Sequence, residues 1–424
     1  MSKFYPFHRL SWLCTPLKLI YRLLLLILGK LKNFEKKLDD TYTCKFTLDL
    51  NNLDVNWNII AITQNKKTLT KEYLQLFEET TRGISNYYAT IHKGSKVVAI
   101  LTVQKINGRG IIINEPESST FEKIIRLLLK VNTIVFPIII LGHAFRSDTT
   151  HFAWDEKEIS PAEAAYLIGL VLKKLENRFL PTALIIKDIE DKIFQEIESV
   201  NPDYLKIEGD YAMHMKIEPN WDSLKSYSDA LQKKYRSKFK STQLKLKDIV
   251  IHELTTEEIT IKKHEIWRLY ANVLNNQSFG IGAIQPDYFV SLKVSYLENF
   301  KIFGFSKENE MVAFSSALLI DDKIEIYYIG MNYSANEQHD LYFNILYHSI
   351  GVAITNRKKE LFLGRSALDP KARLGCTEIA MNSLFKVEHP IIIRLIKKYF
   401  TLNSNLISPK YNPFKTNADV VKFG

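Results

Sequence analysis

The strand-like stretch "KIEIYYIGMN" (323–332) carries a carboxylate and two phenols within four residues: Glu325, Tyr327 and Tyr328. Side chains alternate along a strand, so Glu325, Tyr327 and Ile329 share one face while Ile326, Tyr328 and Gly330 share the other. Glu325 and Tyr328 are the candidates for moving a proton as general base or acid. Packing with a hydrogen-bonded hydroxyl is the plainer role of a strand tyrosine. His143 ends the apolar run "TIVFPIIILGH" (133–143) and opens a polar loop that also holds Arg146, Asp148 and His151. An imidazole so placed can face a cleft and exchange a proton near neutral pH; an isolated structural histidine is the alternative. His214, inside "YAMHMKI", alternates with apolar neighbours and reads as packing. A further group lies in "LFLGRSALDPKARLGC" (361–376), where Arg365, Lys371 and Arg373 crowd the end of an apolar strand. Cations there suit a phosphate or carboxylate, with Arg supplying bidentate contacts. A solvated helix end is the competing reading. Asp369 as cap, Pro370 at the first helical position and Gly375 as stop predict a short helix at 370–374.

The elements that must position these residues alternate strand and helix. A strand at 44–50 and a helix at Leu69–Thr81 precede "NYYATIHKGSKVVAILTVQKI" (86–106), two strands about a Lys-Gly-Ser turn. A helix at Thr120–Val131 leads to the buried strand 133–143. After the polar loop, Ser160-Pro161 caps a long amphipathic helix to Asn177. Strand 182–189, helix 190–200 and strand 204–218 complete a first unit. The second unit repeats the order. Strand 248–254 and helices at 257–275 and 286–300 precede a hairpin at 301–321, strand 323–332 and a loop "YSANEQ". Helix 339–355, strand 359–366, the short helix and a last strand at 376–387 follow. The architecture is duplicated without a repeat of sequence, and a cleft between the halves is expected.

The formal charge of +10 is concentrated in two segments, residues 1–38 and 231–247, each carrying a net +7. The remainder is mildly acidic, which excludes a uniformly basic nucleic-acid coat. Three cysteines, Cys14, Cys44 and Cys376, are too few and scattered for a disulfide framework. No cluster has metal-ligand spacing, so no metal is expected, and a reducing, cytoplasmic setting is the default. In "TPLKLIYRLLLLILGKLKNFEKKL" (15–38) the longest apolar run is Leu23–Leu28. A spanning helix wants about 20 such residues, and no cleavage site follows. Lys18, Arg22, Lys32 and Lys36 form one stripe in a leucine-rich circumference, the profile of a helix lying in an anionic membrane interface. Docking of that helix on the protein's own core is the alternative. In 233–247, Tyr235 and Phe239 lie at i and i+4 among cations, predicting a helix with a basic outer face. It fits an anionic lipid surface, an acidic carrier protein or tRNA, or serves as a solvated linker.

The order of elements resembles the Gcn5-related (GNAT) acyltransferase fold. Two such units joined by a basic helix are similar to the FemAB-like tandem acyltransferases, in their "predicted N-acyltransferase" branch. The resemblance is carried by "SLKSYSDALQKKYRSKFKS" (223–241), "FVSLKVSYLENFKIFGFSKENEMVAFSSALL" (289–319), "IEIYYIGMN" with "HDLYFNILYHSIGVAI", and "FLGRSALDPKARLGC". It covers roughly residues 45–390. It implies an α/β (α+β) chain of two GNAT-like domains, 44–220 and 248–390, each a mixed twisted sheet flanked by helices. An interfacial helix (1–40), a basic linker helix (221–247) and a C-terminal helix and tail (391–424) accompany them.

The resemblance further implies a transferase whose donor arm lies where strands 323–332 and 359–366 splay apart, with the N-terminus of helix 339–355 facing a pyrophosphate. Glu325, Tyr328 and His143 are then the expected catalytic residues, and Arg365, Lys371, Arg373, Asn332 and Asn336 the expected donor-binding ones. The usual Gly-rich pyrophosphate loop is replaced by "YSANEQHD", which has no glycine. An acyl-carrier-protein donor needs that loop less than acyl-CoA does. The expected activity is transfer of an acyl group from acyl-ACP or acyl-CoA to an amine of an amino-acid lipid or cell-envelope precursor. No permanently bound cofactor is expected. The setting would be the cytoplasmic face of a membrane, bound through 15–38 and, as a second candidate, 233–247. One alternative is aminoacyl transfer from tRNA to a peptidoglycan precursor; another is a non-catalytic membrane-associated scaffold.

Overall fold

The computed structural model describes residues 34–106, 111–113, 137–147, 151–207, 210–276, 279–281, 283–387 and 411–415. The first unit contains β1 (Phe34–Lys37), β2 (Tyr42–Thr47), α1 (Trp57–Thr63), α2 (Lys71–Thr80), β3 (Thr81–Arg82), β4 (Ile84–Lys93), β5 (Lys96–Ile106) and β6 (Ile111–Ile113). It continues through β7 (Ile138–Leu141), β8 (Phe152–Trp154), α3 (Pro161–Phe179), β9 (Ala183–Ile186), α4 (Asp191–Val200) and β10 (Leu205–Lys206). Then follow β11 (Tyr211–Lys216), α5 (Leu224–Ala230), α6 (Lys233–Leu244), β12 (Val250–Glu253), α7 (Thr256–Asn275), β13 (Phe279–Ile281), β14 (Ala283–Ile284) and α8 (Asp287–Tyr296). The chain proceeds through β15 (Phe300–Lys307), β16 (Glu310–Ile320), β17 (Lys323–Met331), α9 (Tyr333–His339), α10 (Leu341–Thr355), β18 (Glu360–Gly364), α11 (Leu368–Ala372), β19 (Thr377–Ala380) and β20 (Leu384–Val387).

The duplication is visible in the sheets. One runs β1-β2-β4-β5-β7-β9-β20-β10, with β8 also on β5; the other runs β12-β15-β16-β17-β18-β11-β19. From β2 and from β12 onward the pairings match step for step, each with a single parallel pair, β7 with β9 and β17 with β18. Both sheets are therefore mixed, as expected of tandem GNAT-like domains.

The sheets do not respect the expected boundaries. The strands predicted at 204–218 and 376–387 each break in two. The halves Leu205–Lys206 and Leu384–Val387 pair with each other in the first sheet, while Tyr211–Lys216 and Thr377–Ala380 pair in the second. The end of each unit thus supplies a strand to the other's sheet, β11 to the second and β20 to the first, and the exchange makes the two sheets one folding problem.

Other expectations shift with tertiary context. Residues 34–37, read as the end of the interfacial helix, are a strand on β2; the rest of that helix, 1–33, lies outside the described residues. So do the helix at Thr120–Val131 and, apart from 411–415, the C-terminal segment. The basic linker helix is broken at Leu231–Gln232 into α5 and α6. The predicted loop "YSANEQ" is helix α9, capped by the Asn332 side chain on the amides of Ser334 and Ala335. The short helix starts earlier than expected, after Ala367 in a left-handed conformation, and Asp369 lies inside its first turn. Long α3 begins as expected: Ser160 and Glu163 form a reciprocal capping box behind Pro161. No helix among the described residues is long and apolar enough to cross a membrane.

Candidate active site

Three features of β17 build the site. First, β17 and β18 pair in parallel only at Lys323–Glu360, Ile324–Leu361 and Glu325–Phe362, after which the two strands separate. Second, β17 bulges opposite Ser316: Ser315 pairs with Ile329 but Ala317 with Ile326. Two residues, Tyr327 and Tyr328, therefore stand against one on β16, and the alternation expected from a regular strand fails there. Their rings pack against each other with centroids 4.7 Å apart. The Ser316 hydroxyl fills the gap, donating to the Tyr328 carbonyl (3.0 Å) and accepting from the Tyr328 N–H (2.9 Å). Third, Gly330 lets α7 lie directly on β17. A Cβ there would come within 2.5 Å of the Leu269 carbonyl carbon and 2.6 Å of the Tyr270 nitrogen.

The separation of the strands opens a cleft of about 680 Å³ between Ile326–Ile329 and Leu363–Ala367, walled by Tyr270, Tyr342 and Phe343. At its closed end sits Glu325, 5% exposed. Its Oε2 accepts from the Arg146 guanidinium at 2.5 Å, so a residue of the first unit pairs with the carboxylate of the second. Burial opposes the Arg146 charge, but Glu325 and the surrounding phenols outweigh it and hold the guanidinium well above its ordinary range. Arg146 also lies over the Tyr327 ring, 5.2 Å from its centroid.

His143 stands behind this pair and does not line the cleft. Its Nδ1 accepts the N–H groups of Phe145 and Arg146, 3.1 Å each, which leaves the proton on Nε2 to be donated to the Tyr73 hydroxyl at 3.0 Å. The Tyr73 hydroxyl lies 3.3 Å from that of Tyr327, which is 2.5 Å from that of Tyr288. Burial, with His151, Arg146 and Lys187 nearby, drives the His143 pKa well down, so the ring is neutral. Burial likewise takes His151 down to about 3. These bonds tie His143 to the turn that presents Arg146 and begin a chain of hydroxyls toward β17. Lys187 holds the same turn, donating to the carbonyls of His143 (3.0 Å) and Arg146.

The expected anion cluster is not assembled. Arg365 is engaged by two carboxylates, bidentately by Asp210 (2.8 and 3.0 Å) and by Asp188. Lys371 is 4% exposed, and its ammonium donates to the carbonyls of Leu363, Gly364, Arg365 and Ser366 at 2.8–3.2 Å. Burial pushes it down to about 8. It staples a turn in which Gly364, Ser366 and Ala367 all have positive φ. Arg373 is half exposed, paired with Asp369 at 2.8 Å and stacked on Tyr411. None of the three presents a free charge to the cleft.

The helix end expected to face a pyrophosphate is also filled. Asn332 caps α9; the Asn336 side chain accepts the Tyr342 N–H at 2.8 Å; and Asp340 sits at the start of α10, bound by Lys238 (3.3 Å) and Lys245 (3.0 Å) of the basic segment. Of the expected catalytic residues, Glu325 and Tyr328 line the cleft. The Tyr328 hydroxyl is buried, its ring set edge-on to those of Tyr270 and Tyr288. Sequence reasoning missed Tyr73 and Tyr288 altogether and noted Arg146 only as a companion of His143. No local signal marks a helix tyrosine as the partner of a residue 254 positions away. Among the described residues no group of His, Cys, Asp or Glu could hold a metal ion.

Two mixed sheets of one topology, with the second opened between its parallel strands, define a tandem of GNAT-like domains. A family profile, FemAB-like, described as peptidoglycan biosynthesis/recognition, matches residues 201–419, and the chain belongs to this family. No curated protein matches the chain. Among solved structures, FemX is 9% identical, covers 77% of this chain and 93% of its own, and superposes with a TM-score of 0.45. L-PGS from Bacillus licheniformis is 11% identical, with 79% and 96% covered and a TM-score of 0.44. A tandem GNAT protein from the clavulanic acid biosynthesis pathway is 7% identical, with 82% and 99% covered and a TM-score of 0.46.

Proposed function

We propose that the chain transfers an acyl or aminoacyl group from a carrier-borne ester or thioester, lying in the cleft between β17 and β18, to an amine of a cell-envelope precursor. The observation that carries this is the buried Glu325 at the closed end of that cleft. The amine nitrogen attacks the donor carbonyl; a C–N bond forms and the C–S or C–O bond to the carrier breaks. Glu325 takes the proton shed by nitrogen and returns it to the departing sulfur or oxygen. Arg146 holds the carboxylate in place, and the His143–Tyr73–Tyr327 chain fixes the strand beside it.

A carrier suits the site better than free acyl-CoA, because Asp340 and Asn336 already occupy the helix end where a pyrophosphate would bind. Beside that end runs α6, with Lys233, Lys234 and Lys240 exposed and Lys238 lying 5.5 Å from the ring centroid of Phe343, a wall of the cleft. An acidic acyl carrier protein fits this face, and the density of cations equally favours aminoacyl-tRNA as a second reading. Attachment to the membrane through residues 15–33 belongs to the same proposal. The test offers purified protein acyl-ACP, acyl-CoA and aminoacyl-tRNA in turn and measures donor consumption. Glu325→Gln should lower turnover by about 10²–10⁴-fold with unchanged folding by circular dichroism. Equal turnover in the variant removes Glu325 from the chemistry. Consumption of no donor by the wild type favours the scaffold.

A further inference from the structure

Behind the cleft, six charged side chains form one chain across the two units. Glu325 accepts from the Arg146 guanidinium, and the Arg146 carbonyl accepts from the Lys187 ammonium. That ammonium pairs with Asp188 at 3.1 Å, and Asp188 and Asp210 together hold Arg365. Three carboxylates balance three cations, so the chain is buried with no charge left uncompensated. Both of its ends belong to the wall of the same cleft, Glu325 at the closed end and Arg365 in the turn after β18. Lys187, in the middle, does not line that cleft.

The backbone puts Lys187 where it can act. Its N–H donates to the Leu141 carbonyl at 2.9 Å, which extends the β7–β9 pairing by one residue. Gly142 makes room for its stem: a Cβ there would lie 2.7 Å from the Lys187 Cβ. The ammonium then reaches the carbonyls of His143 (3.0 Å) and Arg146. Asp188, in a left-handed conformation with a φ of 56°, sends its carboxylate back to the same ammonium. An ammonium has three N–H groups, and these three acceptors use them all. Burial lowers the Lys187 pKa and Asp188 opposes that shift, so the carboxylate keeps the ammonium charged. The turn is gripped on both sides, because His143 Nδ1 accepts its N–H groups while Lys187 donates to its carbonyls. Precision matters here, since misplacement by an ångström is worth about 10²-fold in rate.

We propose that Lys187 is a positioning residue for the transfer: its ammonium, clamped through Asp188 and Arg365 to the turn after β18, sets the His143–Arg146 turn so that the guanidinium holds Glu325 in line with the donor. This rests on the reading of Glu325 as the group that moves the proton. The first unit then supplies both the cation that faces the carboxylate and the support that aims it. The turn on one wall of the donor cleft is thereby tied to the carboxylate at its closed end.

The test compares Lys187→Met, Lys187→Arg and Glu325→Gln, and the double variant Lys187→Met/Glu325→Gln. Each is the full chain, offered whichever of acyl-ACP, acyl-CoA and aminoacyl-tRNA the wild type consumes. Lys187→Met should lower kcat by about 10²-fold. The donor's KM should stay within about twofold, because Arg365 keeps Asp188 and Asp210 and the cleft keeps its walls. Lys187→Arg, which retains the cation and its donors, should recover most of the loss. In the Glu325→Gln background Lys187→Met should cost nothing further, since a residue that acts through Glu325 has nothing left to align. A merely structural lysine would add its loss to that of Glu325. Additive losses, an unchanged kcat in Lys187→Met, or a KM that rises as far as kcat falls each overturn the proposal while the role of Glu325 stands. Full turnover by Glu325→Gln overturns both, as does a wild type that consumes no donor. If Lys187→Met does not fold by circular dichroism, Lys187→Gln, which keeps an N–H for a carbonyl, takes its place in the same comparison.

Discussion

The same strand order is built twice, and only the second copy is open. In the first unit β7 and β9 pair along all four residues, Ile138–Leu141 against Ala183–Ile186, and β5 meets β7 without a register slip. In the second, β17 and β18 part after three pairs and β17 bulges against β16. The closed copy is a hydrophobic slab with Ile139 and Leu141 fully buried in it. The loop that leaves its β7 carries His143 and Arg146 across to the open copy. One duplicate thus provides the groove and the other the charge that faces the carboxylate within it. The strand exchange makes this dependable, because β10 and β20 close the first sheet while β11 and β19 close the second.

The comparison breaks most sharply at Arg365. It ties the turn after β18 to Asp188, after β9, and to Asp210, where the chain passes from one sheet to the other. Arg365→Met takes the guanidinium away from the 1%-exposed Asp188 side chain and should cost about 3–5 kcal/mol in a denaturant titration. Burial raises the Asp188 pKa, but Lys187 and Arg365 outweigh it and hold the carboxyl below its ordinary range. A depressed carboxyl contributes stability above the unfolded value of about 4 and loses it as pH falls toward the folded one. The wild type should therefore weaken below about pH 4, and Asp188→Asn should flatten that limb while being less stable at pH 7.

Closing the open copy is the next largest change. Ile329→Trp fills the cleft between β17 and β18 and should cut transfer by about 10²-fold with little change in melting temperature. Retained turnover would move the donor elsewhere. Asn336→Ala frees the Tyr342 amide at the start of α10 and should cost about 1 kcal/mol; a gain in acyl-CoA use by this variant would show that the side chain was what excluded a pyrophosphate. Arg373→Ala removes an exposed pair and should change stability by at most about 0.5 kcal/mol and the donor's apparent KM not at all. A rise in KM would restore Arg373 to the donor site.

Much of this was legible in residue order. The duplicated succession of elements, the hairpins about Lys93–Ser95 and Lys307–Asn309, and the helix cap at Ser160-Pro161 all follow from local chemistry. The anion reading of Arg365 and Lys371 did not foresee their internal partners, for a definite reason. A cation's local surroundings announce its charge but not its partner, and the partners here are carboxylates 155 and 177 positions away and carbonyls of a turn the lysine itself organises. The split of 204–218 and 376–387 was invisible because each is a continuous strand-like sequence; only pairing in space assigns its halves to different sheets.

The sequence by itself determined the alternating elements, the two units and the residue types available for proton transfer, since these depend on periodicity, caps and side-chain chemistry. Only the tertiary structure decided which copy opens, that Tyr327 and Tyr328 pack together at the bulge, and that Arg146 of one unit meets Glu325 of the other. Those outcomes depend on strand register and on burying charge beside charge, which residues far apart in the chain settle together.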